Sequence, residues 1–414
     1  MKKHFKILSV ITAIFLVLTA FAGCGKNDSG DPAQNQGAKK QEAKELIVWS
    51  HLKDDTEVPE VEKVALEWAE KTGHKVKVMF SQSEFQDYVQ AASGNRGPDI
   101  MFGMPHNDLG VFQRLDLLAQ VPDDFIDQSH YVDMAIEATM YDGKMYAIPL
   151  SMEAMALFYN TDMIQTPPDT FEEFIELAQE AGFMYHIPDL YSSYAFLAGN
   201  GAYVFKNTKG AYDPEDIGLG NEGAVKGFEL LYKFVNEYAF MSADCTGDIA
   251  RGNFQSGKTG FMLGGPWDVE GFRNEGVPFS VAPMPKLNGN IMPTYVGVQA
   301  AFVSAKSKNQ PEAWDLMKYL VENTPGPLLE KGHRIPVLKS ELERPEVKDN
   351  KIIAAFAKQA SHGDPIPNIP ETNATWTPVG NAIRLVISGQ ISPEQAAADV
   401  IKQIEEGIAI QNQQ

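Results

Sequence analysis

The chain of 414 residues has only two cysteines, Cys24 and Cys245. That scarcity excludes a small domain stapled by several disulfides, and neither cysteine sits at metal-ligand spacing. An excess of basic charge is also missing. Lys and Arg number 35 against 55 Asp and Glu, a formal net charge of −20, which argues against binding nucleic acid or an anionic membrane face through a basic patch. No G-x-x-x-x-G-K-[ST] loop occurs, and Ser256-Gly257-Lys258-Thr259 lacks the upstream glycine. The eight histidines contain no H-E-x-x-H and no cluster, so neither a metal nor a cofactor is expected. There is no internal repeat. What remains is ordinary for a globular protein, 44% hydrophobic and 22% charged, in a chain too long for one core, so two lobes are expected.

The first residues do not read as fold. Lys2, Lys3 and Lys6 precede an apolar run over 7–21, which is too short for a settled membrane span, and Ala22-Gly23-Cys24 follows. This order resembles a bacterial lipoprotein signal. The resemblance implies removal of residues 1–23, a lipid on Cys24, and anchorage at the extracytoplasmic face of the cell membrane. Cys245 would then have no disulfide partner, and it is expected to be an inert packed thiol. Residues 24–44, rich in Gly, Gln and polar side chains, read as a flexible tether.

Beyond the tether, residues 46–49 form a short apolar strand. A helix from about residue 58 carries Val61, Val64, Leu66 and Trp68 on its apolar side and stops at Gly73. Val76, Val78 and Phe80 alternate as a half-buried strand. A second helix over 85–93 and a strand over 100–103 complete a β-α-β-α-β order, which predicts a parallel sheet with helices on its faces. Ligands of such sheets sit beyond the carboxyl ends of the strands. Those ends hold His51, Lys53 and Asp54 after the first strand and His106, Asn107 and Asp108 after the third. Further helices are predicted over 171–181, behind a Thr170…Glu173 capping box, and over 222–237, 311–321, 352–359, 377–388 and 393–405. Strands are predicted over 259–263 and 296–304. Gly218-Leu-Gly-Asn-Glu-Gly223 matches G-x-G-x-x-G, but a dinucleotide fingerprint needs a strand directly before it. Residues 212–217 read as an acidic turn, so the motif is taken as a loop before a helix.

The middle of the chain centres on Glu153, set between apolar runs at 146–150 and 156–159 and flanked by Met152 and Met155. A lone carboxylate there is a solvated turn acid, a strand-end acid facing a cleft, or a buried one that costs several kcal/mol unless paired, about 2–7 for an uncompensated polar group. Aromatic residues stand in turn-rich segments: Tyr191 and Tyr194 after His186-Ile-Pro-Asp189, Trp267 after Gly264-Gly-Pro, and Trp376 after a proline-rich stretch. Core packing is the usual fate of any one ring. Several rings on loops with Asp, Glu, Asn and His between them suggest a neutral polar ligand with apolar faces, as sugars are.

Leu46-Ile-Val-Trp-Ser, Gly97-Pro-Asp-Ile-Met-Phe, Asp142-Gly-Lys-Met-Tyr-Ala-Ile-Pro, Met152-Glu-Ala with Phe158-Tyr-Asn-Thr-Asp, Gly264-Gly-Pro-Trp, Tyr295-Val-Gly-Val, and Pro367-Asn-Ile-Pro with Trp376 occur in this order. Together they resemble the extracellular solute-binding proteins of the maltose/maltodextrin type, from residue 45 to about 408. The resemblance implies an α/β, two-lobed periplasmic-binding-protein-like fold, each lobe a mixed sheet flanked by helices, with three hinge crossings. Its lobes would be 45–151 with 295–350 and 155–293 with 353–410, in a monomer. It also implies a sugar-binding carboxylate at Glu153, stacking residues at Tyr191, Trp267 and Trp376, and an acid, Asp189, beside Tyr191, with Tyr194 in the same segment. His51, Lys53, Asp54, His106, Asn107 and Asp108 would supply the polar wall. Here the chain departs from the maltose-binding pattern, which has asparagine at His51, aspartate then lysine at Lys53 and Asp54, and aspartate then arginine at Asn107 and Asp108. An N-lobe tryptophan is missing around 103–105, and Gly380 replaces an arginine. The stacking half is kept and the polar half rewritten, which leaves the particular sugar open. The implied function is capture of a malto-oligosaccharide for an ABC transporter permease. Receptors for a galacto-oligosaccharide or a cyclodextrin are alternatives, as is a glycoside hydrolase using Glu153 and Asp189 as an acid/base pair.

Overall fold

Along Ile100–Pro105 nearly every side chain is buried, whereas Lys75–Phe80 leaves both its lysines exposed. Position in the sheet explains the difference, since a central strand is covered on both faces and an edge strand is blunted with charge. The computed structural model describes residues 42–81, 85–94 and 96–413. The 1–23 signal, Cys24 and nearly all of the tether lie outside the described residues.

The larger sheet runs, edge to edge, Ile335–Pro336, Ile148–Ala154, Tyr295–Val303, Ile100–Pro105, Glu45–Ser50, Lys75–Phe80, with Asp364–Pro365 beside the start of Tyr295–Val303. Its first three strands in chain order pair in parallel, as the β-α-β-α-β order predicts. Tyr295–Val303 returns antiparallel against both Ile100–Pro105 and Ile148–Ala154, so the sheet is mixed. The helix Val58–Thr72 stops at Gly73, whose φ of 78° suits glycine. It buries Val61, Val64 and Trp68, and the Trp68 indole N–H donates to Asp315 at 2.8 Å. Leu66, assigned to its apolar side, is exposed instead.

The second sheet, also mixed, has the order Phe279–Ala282, Ala156–Asn160, Phe261–Gly264, Phe183–Met184. Phe158 packs edge-on against Phe254, Phe272 and Phe356 at its heart. The helix Phe171–Ala181 starts with the predicted capping box, Thr170 and Glu173 each bonding the other's backbone N–H. The segment before Gly218 is not a turn. Ala211–Ile217 is a strand paired antiparallel with Phe205–Thr208, because polar side chains alternate along a two-stranded ribbon exposed to water. The glycine motif thus follows a hairpin and not a β-α-β unit, and Asn221 caps the helix Glu222–Asn236 through the Ala224 N–H at 2.9 Å.

The chain passes from the larger sheet to the second one after Ile148–Ala154 and returns between Phe279–Ala282 and Tyr295–Val303. Ile148–Ala154 leads through the single residue Met155 into Ala156–Asn160. The Thr294 hydroxyl donates to the Met155 carbonyl at 3.0 Å. Buried Gln359, on the helix Lys351–Ala360, donates to the Met292 carbonyl at 3.0 Å and the Thr294 hydroxyl at 3.2 Å, and accepts from the Met284 N–H at 2.8 Å. Among the described residues no helix is long and apolar enough to cross a membrane. Cys245 is buried, which pushes its thiol up.

Candidate functional site

Glu153 is not in a turn. It lies inside the strand Ile148–Ala154, opposite Gly297 across the sheet, and both its oxygens are engaged. Gln299 Nε2 donates to Oε1 at 3.1 Å, and Arg334 Nη1 donates to Oε2 at 2.7 Å. The same guanidinium grips Glu57 with two more bonds, Nε to Oε1 and Nη2 to Oε2, both 2.9 Å. The Lys53 N–H adds a third bond to Glu57 at 3.0 Å. Side-chain exposure is 0% for Glu57, 13% for Arg334 and 19% for Glu153. A planar fork of five N–H donors grips one carboxylate with two bonds and the second with one, a fixed geometry that lysine's ammonium does not provide. Gly332 makes room for it: a Cβ there would stand 2.0 Å from Glu57 Oε1.

Glu153 and Arg334 line a cavity of about 520 Å³ with His51, Lys53, Phe80, Pro105, Trp267 and Gln299. His51 Nδ1–H donates to the Ser81 carbonyl at 3.1 Å, which fixes its ring. Trp267, 36% exposed, is aimed by the helix Pro266–Asn274. Pro266 presets the first turn, and Asp268 accepts from the Gly265 N–H at 3.1 Å. The indole folds back over Gly265, where a Cβ would fall 2.3 Å from its ring carbons. Gly265→Ala is therefore expected to push the indole aside and cost about 1–3 kcal/mol of stability, the usual penalty of overpacking. Urea unfolding followed by tryptophan emission checks this, and an unchanged midpoint and spectrum would contradict it.

Trp267 also borders a second cavity of about 390 Å³ with Tyr191, His186, Arg251 and Asp268. Tyr191 lies 6.4 Å from Trp267 and 6.1 Å from Tyr295, centroid to centroid, and Trp376 lies 6.1 Å from Tyr295. Of the three rings expected to stack, Tyr191 and Trp376 thus neighbour Tyr295, and Trp267 neighbours Tyr191. They do not sit on loops, as the turn-rich sequence suggested. Each is within the first two residues of a helix, at Leu190–Ala198, Pro266–Asn274 or Trp376–Ile387, because the turn residues before them end in helix starts. Burial, then the Glu153 and Asp189 charges, hold the Tyr191 phenol well above its ordinary range.

The other sequence-predicted residues lie elsewhere. His106 is fully buried: the Val298 N–H donates to Nδ1 at 3.1 Å and Nε2–H donates to the Ile366 carbonyl at 2.8 Å. Burial pushes its ring down to about 4. Both nitrogens are used, so it is a strut and no part of the wall. Asp189 caps the helix Leu190–Ala198, its Oδ2 accepting from the Ser192 N–H at 2.9 Å and hydroxyl at 2.8 Å. Tyr194 is buried, stacked on Tyr295 at 3.7 Å with its hydroxyl donating to Asp364 at 2.8 Å. Asp54 is exposed and outside the cavity lining. Asn107 donates to Asp108 at 3.1 Å, and burial pushes the Asp108 carboxyl up to about 6; neither lines the cavity. Sequence reading missed Glu57, Gln299 and Arg334. The usable signal was Arg334 itself, an arginine hemmed by Ile335-Pro336-Val337, where a cation needs an acid partner. A larger cavity of about 560 Å³, bordered by Arg114, Tyr141, Tyr212 and Asn368, contains none of the predicted residues.

The family model described as bacterial extracellular solute-binding protein matches residues 63–355. The chain is 32% identical over 414 residues to the galactooligosaccharide-binding protein of Bacillus subtilis (strain 168), covering 95% of each. It is 27% identical over 428 residues to a maltooligosaccharide ABC transporter solute-binding lipoprotein of Streptococcus pneumoniae (strain ATCC BAA-255 / R6), covering 98% of each. Among solved structures it is similar to the maltose-maltodextrin binding protein of Alicyclobacillus acidocaldarius, with a TM-score of 0.82 and 36% identity over 87% of this chain and 100% of that one.

Proposed function

Because the chain belongs to the bacterial extracellular solute-binding proteins, we propose that it captures a malto-oligosaccharide between its two sheets and delivers it to an ABC transporter permease. The observation that carries this reading is the pairing of the Trp267 face with the Glu153–Arg334 ion pair in one cavity. A pyranose offers the same two surfaces, a flat C–H face to stack on an indole and a rim of hydroxyls for charged acceptors and donors. Lys53 and His51 add polar groups to the same lining. Lobes of 45–151 with 295–350 and 155–293 with 353–410 would close over the sugar about the three crossings. A lipid on Cys24 would hold the monomer at the extracytoplasmic face, a reading supported by the lipoprotein named among its relatives.

A galacto-oligosaccharide is the second reading, favoured by the Bacillus subtilis relative. A glycoside hydrolase finds less support: Asp189 serves as a helix cap and Glu153 is bonded to Arg334 and Gln299, so no acid/base pair is poised across a cleft.

Calorimetry with maltotriose, a cyclodextrin and a galacto-oligosaccharide tests the proposal. One of them should bind the wild-type chain, and Trp267→Ala should weaken it by about 1–3 kcal/mol, roughly 5- to 150-fold. Binding of none of the three would refute the oligosaccharide reading.

A further inference from the structure

Arg334 is joined to the recognition carboxylate more firmly than a cavity-wall arginine needs to be. Two of its five N–H groups are committed to Glu57, itself fully buried, held by the Lys53 N–H and pressed against Gly332. A third goes to Glu153. The guanidinium therefore cannot swing, and it still lines the cavity with two N–H groups not assigned to either carboxylate. On Glu153, Gln299 and Arg334 occupy two of about four lone-pair positions.

We infer that Arg334 is a specificity-determining residue of this cavity: clamped by Glu57, it fixes the Glu153 carboxylate and sets a donor beside that acceptor, so that the pair reads two neighbouring hydroxyls of one sugar ring. The inference rests on the oligosaccharide reading above. The 2.7 Å between Arg334 Nη1 and Glu153 Oε2 is close to the separation of adjacent hydroxyl oxygens on a pyranose. One hydroxyl donates to Glu153 while its neighbour accepts from Arg334. A fixed donor and acceptor reject ligands that cannot fill both, because whichever group goes unmatched has lost its water. Glu57 and Glu153 are balanced by Arg334 and by Lys53 in the same lining. The site thus presents no net charge, which favours a neutral sugar over an anionic one.

The test uses the full chain and calorimetry with maltotriose, a cyclodextrin and a galacto-oligosaccharide. Arg334→Lys keeps the charge and loses the fork. A second variant, Glu57→Met with Arg334→Met, removes both buried charges together and so preserves folding, since buried pairs exchanged for apolar residues of similar volume are often neutral or better. Both variants should lose at least tenfold in affinity for the sugar that the wild type binds. Glu153→Gln should cost less in the Arg334→Lys background than alone, the coupling expected of residues acting as a unit. Folded variants with wild-type affinity, or penalties that simply add, would overturn the inference and leave Arg334 a structural residue. A wild type that binds none of the three sugars would overturn the parent reading as well, which keeps the two failures distinct.

Discussion

Glu57→Ala is expected to lower the free energy of unfolding by about 3–5 kcal/mol, the cost of leaving a buried charge without its partner. The substitution strips Arg334 of two 2.9 Å bonds and the Lys53 N–H of its acceptor, at a position with no exposure to dilute the loss. Glu153 remains on the guanidinium, so the cation is half-compensated and the lower part of that range is the more relevant. Urea denaturation of the two chains at neutral pH reads the effect directly. A loss below about 1 kcal/mol, the size of one ordinary hydrogen bond, would mean that water reaches the guanidinium and that the cluster is not the fixed element described above.

Asp108→Asn should make the protein more sensitive to acid. Burial pushes His106 from 6.5 down to about 4. Between those values the unfolded chain binds a proton that the folded chain refuses, so the stability this ring contributes is full above about 6.5 and is lost as pH falls toward 4. Asp108 works the other way. Burial pushes its carboxyl from 3.8 up to about 6, so the folded chain binds the extra proton and stability is gained as pH falls through 6. At about 1.4 kcal/mol per pH unit of difference, each contribution is about 3 kcal/mol, and they nearly cancel. Removing the carboxylate leaves His106 unopposed. With allowance for the partial exposure of Asp108, the variant should lose about 2–3 kcal/mol more than the wild type between pH 6.5 and 4. The other acids that respond to pH are common to both chains. Parallel acid dependence of the two urea midpoints would sink the idea.

Local chemistry was the legible part of this chain. The Thr170 capping box, the stop at Gly73 and the parallel order of the first three strands all follow from residues within a few positions of one another. The grouping of Tyr191, Trp267 and Trp376 rests instead on the family resemblance, and the rings stand at helix starts and not on loops. What stayed hidden depends on distant segments. Arg334 meets Glu57 across 277 positions and Glu153 across 181, and no periodicity records such a pairing. His106 looked like a cleft residue because it follows a strand end, but Ile366, 260 positions away, closes over it. Tyr191 and Tyr194 stand one helical turn apart, and only the packing of Tyr295 and Asp364 decides that one ring borders a cavity while the other is core. For Glu153 the sequence leaves a turn, a strand end and a buried position open, since a strand interior and a turn look alike where one acid interrupts an apolar run; it lies inside a strand, paired with Arg334.

The bracing of Met155 by Thr294 and Gln359 has a mechanical meaning. A link of one residue has two soft dihedrals and no slack, so the sheets on either side cannot slide past each other there. If the lobes close over a sugar as proposed, they would have to turn there, with the hydrogen bonds to Thr294 and Gln359 confining that turning to a short axis. The link would then serve as a pinned pivot between two stiff arms. Glu153 sits two residues from the pin, where displacement is smallest, while Trp267 rides on an arm, where the same angle sweeps further. In that closure a torque applied at the indole would reach the carboxylate as rotation with little translation.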